Sequence, residues 1–283
     1  MRGNMRIRQL KDRSIYIAMA AATIFILSVL GFIIAYVVIQ GAPGLTWTFL
    51  TSSDWRVGIW PMLLTTIYVV IVSLLVSFPI GIITAVYLNE YARNPKLIRA
   101  LRLAIETLAG IPSIIYGLFG LLVFCRFFGF GQSIIAGALT LSIMILPVVI
   151  TSTEEALKTV PMSFREGSLA LGTTKIQTIR KVVLPSAMPG IITAAILAIG
   201  RVVGESAPVL LTVGIAKNVP KSIMDSGRTL TIHLYYLTKE AVEANAFQQA
   251  FATATILVVF VIIINTMTRA LTRNYEKRMG SVI

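Results

Sequence analysis

Six apolar stretches in this 283-residue chain reach or exceed the roughly 20 residues that a helix needs to cross the hydrocarbon core of a bilayer. They run about Ile15–Ile39, Trp60–Leu88, Leu103–Phe128, Ser133–Thr151, Ala187–Val209 and Phe247–Met267. No water reaches that depth to satisfy backbone N–H and C=O groups, so runs of this length read as membrane-crossing helices. Hydrophobic residues make up 56% of the chain and charged ones 13%, far from the balance of a soluble domain. The expected fold is all-α and polytopic, with six transmembrane helices.

A net charge of +13 raises the question of nucleic acid, and its distribution argues against it. Arg2, Arg6, Arg8, Lys11 and Arg13 precede the first span, and Arg93, Lys96, Arg99 and Arg102 lie between the second and third. Lys158, Arg165, Lys175, Arg180 and Lys181 follow the fourth; Arg269, Arg273, Lys277 and Arg278 follow the last. The alternate loops hold only Arg56, Arg126 and a group (Lys217, Lys221, Arg228, Lys239) diluted by Asp225, Glu240 and Glu243. The basic charge is therefore a topology signal that sets both termini and the central loop in the cytoplasm. One cysteine, Cys125, and one histidine, His233, exclude a disulfide framework and a Cys/His metal site. Cys125 reads as a packing residue and His233 as a packing or interfacial one. The first span lacks a small-residue cleavage site and reads as a retained helix.

Between the fourth and fifth spans lies a polar segment, 154–189, punctuated too regularly for a slack connector. Ser163-Phe164-Arg165-Glu166 has the pattern of a capping box with Ser163 as N-cap. That helix is expected to run to Leu171, with Gly172 as its left-handed C-cap residue. Thr174–Gln177 offers a second capping box, and Pro185 is expected to limit the helix it starts. On residues alone this is a rigid, well-capped surface helix pair. Its sequence, Glu166-Gly167-Ser168, three residues, Gly172, nine residues, Val182-Val183-Leu184-Pro185, resembles the EAA loop of ABC importer permeases. Gly167 and Ser168 stand for the two alanines and Val182 for the isoleucine. The resemblance implies that Ser163, Arg165, Glu166, Gly167, Ser168, Gly172, Leu184 and Pro185 form the element that docks a separate ATPase.

The second span carries Pro79 and Gly81, which suggest a kink, and ends in Tyr87-Leu88-Asn89-Glu90-Tyr91-Ala92. Glu90, beside a basic cluster, reads as a structural ion pair. The third span contains Gly110-Ile111-Pro112-Ser113-Ile114-Ile115-Tyr116-Gly117-Leu118-Phe119-Gly120. Pro112 deletes a backbone bond and the glycines permit close backbone approach. Tight helix packing and a discontinuous helix whose freed amides and Ser113 hydroxyl line a pathway both fit. Glu106, earlier in this run, needs a partner.

The fifth span holds Gly200-Arg201-Val202-Val203-Gly204-Glu205-Ser206-Ala207-Pro208. Arg201 is roughly 20 Å along a helix that starts near Ala187, at or beyond mid-membrane. There an arginine costs about 2.5–3.5 kcal/mol on insertion scales. Arg201 and Glu205 are four apart and share a helical face, and Pro208 is expected to free the carbonyl of Gly204. A structural ion pair and an anion site both fit; arginine's planar fork suits a tetrahedral oxyanion.

The second-span ending, the third-span run and this segment are similar to Y-L-x-E-Y-A, G-I-P-S-I-x-Y-G-L-F-G and R-x-x-G-E-x-A-P of phosphate-specific transport permeases. The resemblance, to the A-type permease subunit of such importers, covers about Trp60 to the end of the sixth span. It implies a type I ABC importer permease fold in a bacterial or archaeal cell membrane. The implied substrate pathway is Arg201, Glu205, Ser206, Ser113 and Pro112, without catalytic residue, cofactor or metal. The implied partners are a homologous permease, two ATP-binding subunits and an extracytoplasmic phosphate-binding protein, in contact with membrane lipid and no nucleic acid.

The expected organisation is a peripheral unit at 1–59, a five-helix permease core at 60–268 and a basic tail at 269–283. Trp47, Trp55 and Trp60 read as interfacial anchors, although a cap over an external gate also fits. Lys221-Ser222 is preceded by Pro220 where a P-loop needs glycine, so ATP hydrolysis is expected on partners. Two alternatives stay open. One is a permease of the same fold for another oxyanion (molybdate, sulfate, phosphonate), the other an ATP-independent secondary transporter or channel.

Overall fold

The computed structural model of the chain describes residues 2–239 and 246–280, and every regular element among them is a helix. Helix α1 (Arg2–Gly41) and the short α2 (Trp47–Thr51) precede α3 (Trp60–Val86), which runs on through a π-helical turn at Tyr87–Tyr91. Then come α4 (Pro95–Gly110) and α5 (Ser113–Gly120), the latter continued by a π-helical segment at Leu121–Phe127. The long α6 (Ile134–Thr159) leads to α7 (Met162–Ala170) and α8 (Lys175–Thr178), and through a π turn at Ile179–Val183 to α9 (Leu184–Gly204). The chain ends with α10 (Ala207–Thr212), α11 (Leu230–Lys239) and α12 (Ala246–Gly280). Glu240 and Glu243 of the outer loop lie outside the described residues.

Among the described residues, five single helices are long and apolar enough to cross a membrane: Asp12–Gly44, Trp60–Tyr91, Ile134–Thr159, Lys175–Gly204 and Ala246–Ala270. Along the third span, α4 and the segment Ser113–Phe127 meet at an angle of 98°. Ile111, forced by the following proline out of the helical region, is extended at φ −70°, ψ 130°, and Pro112 has no N–H to continue the ladder. The span is therefore broken at Ile111–Pro112. The first limb, α4, is amphipathic: Ile105 is buried, while Lys96 and Arg99 are exposed and Arg102 reaches Glu154 of α6. Glu106 is exposed too and lines a surface cavity of about 570 Å³ with Arg99 and Arg102.

The core is built on α6. Its Leu141, Met144, Ile145 and Val149 pack with Val69 and Val70 of α3 and with Ala198, Val202 and Val203 of α9. Toward the elbow end, Ala156 and Leu157 join Ala85, Leu88, Ile105, Val183 and Ile191. Hydroxyls stitch α3 to α6: Ser73 Oγ donates to the Ala138 carbonyl (3.1 Å) and Ser142 Oγ to the Ser73 carbonyl (3.1 Å). Such bonds hold helices where lipid offers no hydrophobic driving force between them. Helix α1 has no buried residue in its apolar window and touches α12, to which Thr255 Oγ1 ties it through the Val37 carbonyl (3.1 Å). At the end of the bundle away from the elbow, Trp47 is exposed, whereas Trp55 lies under the Lys217 ammonium, 3.3 Å from the ring centroid.

Candidate functional site

Two places gather the candidate residues: a pair of broken helices midway through the bundle, and the elbow α7–α8 beyond its end.

The fifth span does not run unbroken to Val209 as expected. Helix α9 ends at Gly204; Glu205 is extended (φ −75°, ψ 137°), Ser206 lies outside both helices, and α10 starts at Ala207. Pro208 therefore removes no bond from a helix interior. It sits in the first turn of α10, where its missing N–H would be unpaired anyway. The break itself, at Glu205 and Ser206, ends the ladder of α9 and leaves its last carbonyls, that of Gly204 among them, without intrahelical donors. Thr231 Oγ1 of α11 fixes it by donating to the Glu205 carbonyl at 2.9 Å.

Arg201, in the last turn of α9, and Glu205 face each other with Nε to Oε1 at 3.9 Å. That distance makes an ion pair but not a hydrogen bond, so the carboxylate keeps accepting capacity and the guanidinium fork is not consumed by it. Their side chains are 32% and 18% exposed in this chain, which leaves both reachable. Val202 and Val203, next in sequence to Arg201, pack with Met144 and Ile145 near the middle of α6.

The break at Pro112–Ser113 comes to the same place. A Cβ on Gly117, one turn after Ser113, would lie 2.8 Å from the Pro208 Cα, and one on Gly120 only 2.0 Å from Thr140 Oγ1. The glycines thus let α5 settle against α10 and α6, so tight packing and a helix break coexist. Tyr116, unmarked as a site residue by sequence reasoning, bridges the kink: its hydroxyl donates to the Leu108 carbonyl of α4 at 2.6 Å. It also lies within electrostatic reach of Arg201. Ser113 is half-buried and Pro112 exposed, as are Ile114, Ile115, Leu118 and Phe119 on the same helix. The arrangement offers a cation, an acceptor and interrupted backbone on an open face, a set able to receive a hydrogen-bonding anion.

At the elbow, α7 begins two residues earlier than its sequence suggested. Pro161 (φ −57°, ψ 142°) is the N-cap and no side chain caps it, so Ser163 lies inside the first turn and the first capping box does not form. Proline's fixed φ already sets the chain for the turn. Gly172 does take the left-handed conformation (φ +81°), and the Thr174–Gln177 capping box is present with both bonds. Pro185 does not end the second helix. The π turn ahead of it widens the ladder where the proline ring would meet a carbonyl, and the helix continues from Lys175 to Gly204. Leu184 and Pro185 are half-buried in its flank.

Ser168 is buried, its Oγ within 2.8 Å of Thr173 Oγ1 and 3.0 Å of Thr178 Oγ1, and this hydroxyl triangle closes the corner. Glu166 and Gly167 are exposed. Around them Met162, Phe164, Leu169, Ile176 and Leu171 (87% exposed) present apolar side chains on the surface of this polar segment. Arg165 points the other way, into an ion pair with Glu90 (Nη2 to Oε1, 2.9 Å). Glu154, still within α6, receives Lys158 at 2.8 Å and Arg102.

His233, on α11, is buried with Nδ1 unpartnered. Burial, and after it the charges of Arg228 and Lys217, push it down to about 4, so it is neutral near pH 7 and serves as a packing residue.

Residues 77–281 match the family model described as binding-protein-dependent transport system inner membrane component. The chain is 35% identical over 261 residues to the probable ABC transporter permease protein YqgI of Bacillus subtilis, covering 86% of this chain and 89% of that protein. It is 38% identical over 208 residues to the phosphate transport system permease protein PstA of Mycobacterium leprae, covering 74% and 68%. Among solved structures it is similar to a chain of a bacterial alginate ABC transporter (TM-score 0.70, 15% identity, 93% and 95% covered). It is also similar to a chain of the MetNI methionine ABC transporter in an inward-facing conformation (TM-score 0.60, 24% identity, 77% and 94% covered).

Proposed function

The chain belongs to the family of binding-protein-dependent transport system inner membrane components, and on that premise we propose that it is a permease subunit of an ATP-driven importer of inorganic phosphate. Its carrying observation is the Arg201–Glu205 pair at the break between α9 and α10, reachable and not closed on itself. Arginine supplies the fork for the oxyanion. The carboxylate accepts the hydrogen bond of a P–OH group and disfavours sulfate, which has no proton to offer. Pro112, Ser113 and Ser206 line the same pathway. The similarity to PstA of Mycobacterium leprae supports phosphate as the substrate.

The open face of α5 and α9 is then covered by a second, homologous permease, and the pathway runs between the two. Two ATP-binding subunits dock on the apolar surface around Glu166. An extracytoplasmic phosphate-binding protein delivers substrate to the opposite end. This subunit does not itself hydrolyse ATP. Both termini and the elbow face the cytoplasm of a bacterial or archaeal cell, as the basic residues of α4 and α7–α8 support. The peripheral helix at 1–59, the core at 60–268 and the basic tail at 269–283 divide the labour between anchoring and transport. ATP-driven closure of the partner subunits moves the elbow and, through it, the helices that carry Arg201.

The test is to purify a tagged chain with its partners, reconstitute the complex in vesicles and measure labelled phosphate uptake against unlabelled sulfate, molybdate and phosphonate. ATP-dependent phosphate uptake that the other anions do not compete away is the expected result. Preferential uptake of another anion overturns the substrate. Uptake that survives ATP depletion overturns the energy source.

A further inference from the structure

The elbow is joined to the bundle at two places where the ordinary α-helical ladder is interrupted. On one side Val160 and Pro161 are both extended (ψ 122° and 142°), so no helical ladder carries α6 into α7. On the other, the π turn at Ile179–Val183 interrupts the ordinary i→i−4 ladder between α8 and α9. A push on the corner is passed on only as far as these two joints hold their angles, with Val160 and Val183 of the joints packed in the core.

One residue outside the elbow holds both of its arms. Glu90 stands in the π turn that ends α3, 75 positions before Arg165 in sequence. Its Oε1 accepts from Arg165 Nε (3.1 Å) and Nη2 (2.9 Å), and also from the neighbouring Asn89 Nδ2 (2.9 Å). The same guanidinium donates through Nη1 to the Val160 carbonyl (2.8 Å) and through Nη2 to the Leu157 carbonyl (3.0 Å). The Leu157 carbonyl belongs to the last turn of α6, where it has no intrahelical donor and sits at the negative end of the dipole, and the Val160 carbonyl is that of the extended residue just after it. The second arm reaches Glu90 as well: Lys175 Nζ donates to its backbone carbonyl and lies 4.7 Å from the centroid of the Tyr91 ring. Four N–H groups of one arginine thus meet three acceptors on two spans. The Glu90 and Arg165 side chains are only 9% and 12% exposed. Ion pairs between solvated surface chains are loose and weakly coupled; this one is sheltered and fixed in geometry by its additional hydrogen bonds.

We infer that Glu90 and Arg165 are positioning residues for energy coupling: they lock the elbow to the ends of α3 and α6, so that displacement imposed on α7 moves the membrane helices instead of bending the two joints. This rests on the reading of the elbow as the ATPase docking element. Within that motif Glu166 and the apolar surface face the partner, while Arg165 faces inward. Sequence alone grouped them together.

The assay is the reconstituted complex with its ATPases and binding protein, read as basal ATP hydrolysis, substrate-stimulated hydrolysis and ATP consumed per phosphate taken up. Glu90→Gln and Arg165→Gln are expected to assemble and keep basal hydrolysis. Their stimulation should fall about tenfold and ATP per phosphate should rise several-fold. The double variant should be no worse than Arg165→Gln alone, because both changes break the same ion pair and Arg165→Gln also removes the bonds to the Val160 and Leu157 carbonyls. Arg165→Lys should recover little, since a single ammonium cannot reach three acceptors in one plane. An unchanged ATP-to-phosphate ratio in an assembled Glu90→Gln complex overturns the inference.

If Glu90→Gln fails to assemble, Glu90→Asp takes its place with a second readout. Spin labels at Ala170→Cys and Leu97→Cys, both exposed positions in a chain whose one cysteine is buried, report the distance from elbow to α4. A narrow distribution in the parent that broadens in Glu90→Asp supports the lock; an equally narrow one in Glu90→Asp overturns it. Loss of the docking reading looks different: Leu171→Asp, on the apolar surface, would then leave ATPase binding intact.

Discussion

Gly172 turns the chain between the two helices of the elbow at φ +81°, and a Cβ built on it meets no atom within 4 Å. Substitution there is consequently a test of backbone conformation alone, without a packing change to confuse it. An L-residue in the left-handed region costs about 1–2 kcal/mol, and a β-branched one belongs at the upper end of the roughly 1–3 kcal/mol range for strained backbone. Asparagine tolerates the region best among non-glycine residues. The expected order of damage is Gly172→Asn, then Gly172→Ala, then Gly172→Val. At about 2 kcal/mol, valine shifts the local balance toward another turn roughly 30-fold. The strain lies outside the three buried clusters, so membrane insertion and thermal stability should stay near those of the parent. Substrate-stimulated ATP hydrolysis by the assembled complex should fall in that same order. Equal stimulation by the valine and glycine forms would refute the argument that the shape of this corner carries the coupling.

Gly120→Val would press a side chain against Thr140, where even a Cβ sits 2.0 Å from Oγ1; forcing α5 from α6 should cost about 1–3 kcal/mol and lower the apparent melting temperature in detergent. His233 is held near 4 when folded, against 6.5 when free, so the unfolded state binds the extra proton between those values. The stability it contributes is fully present above about pH 6.5 and is lost as pH falls toward 4, by up to about 3 kcal/mol; Gln at 233 should flatten that part of a melting-temperature profile against pH. Reporters near Lys175 and after Lys277 should read cytoplasmic and one near Lys217 external; any other pattern of accessibility contradicts the orientation.

What was legible in the sequence was whatever one residue enforces on its own neighbours. Pro112 broke its helix because it lacks an N–H, Gly172 adopted positive φ, and Thr174 with Gln177 closed their capping box. Local signals misled where two solutions compete for the same turn. Pro161 displaced Ser163 as the N-cap, and a π turn carried the helix past Pro185. Pro208 marked the right neighbourhood: a proline in a first turn announces a helix start, and the break lies just before it, at Glu205 and Ser206. The partner of Glu90 was not legible at all. Nothing in either local stretch names a guanidinium 75 residues away, and only the packing of α3 against α6 brings the two together. The same holds for Tyr116, whose place over the kink depends on the 98° bend between α4 and α5.

The central claim is that Arg201, beside Glu205, binds the anion in transit, and it is tested in vesicles that hold the complete complex. Selection by the binding protein upstream makes whole cells uninformative. Arg201→Gln should abolish phosphate uptake with the complex still assembled, and Arg201→Lys should restore little of it, because a point charge does not reproduce the fork. Glu205→Gln should stay active but accept sulfate more readily. Unchanged selectivity in an active Glu205→Gln removes the carboxylate from the site; phosphate uptake at the parent rate by assembled Arg201→Gln contradicts the claim itself.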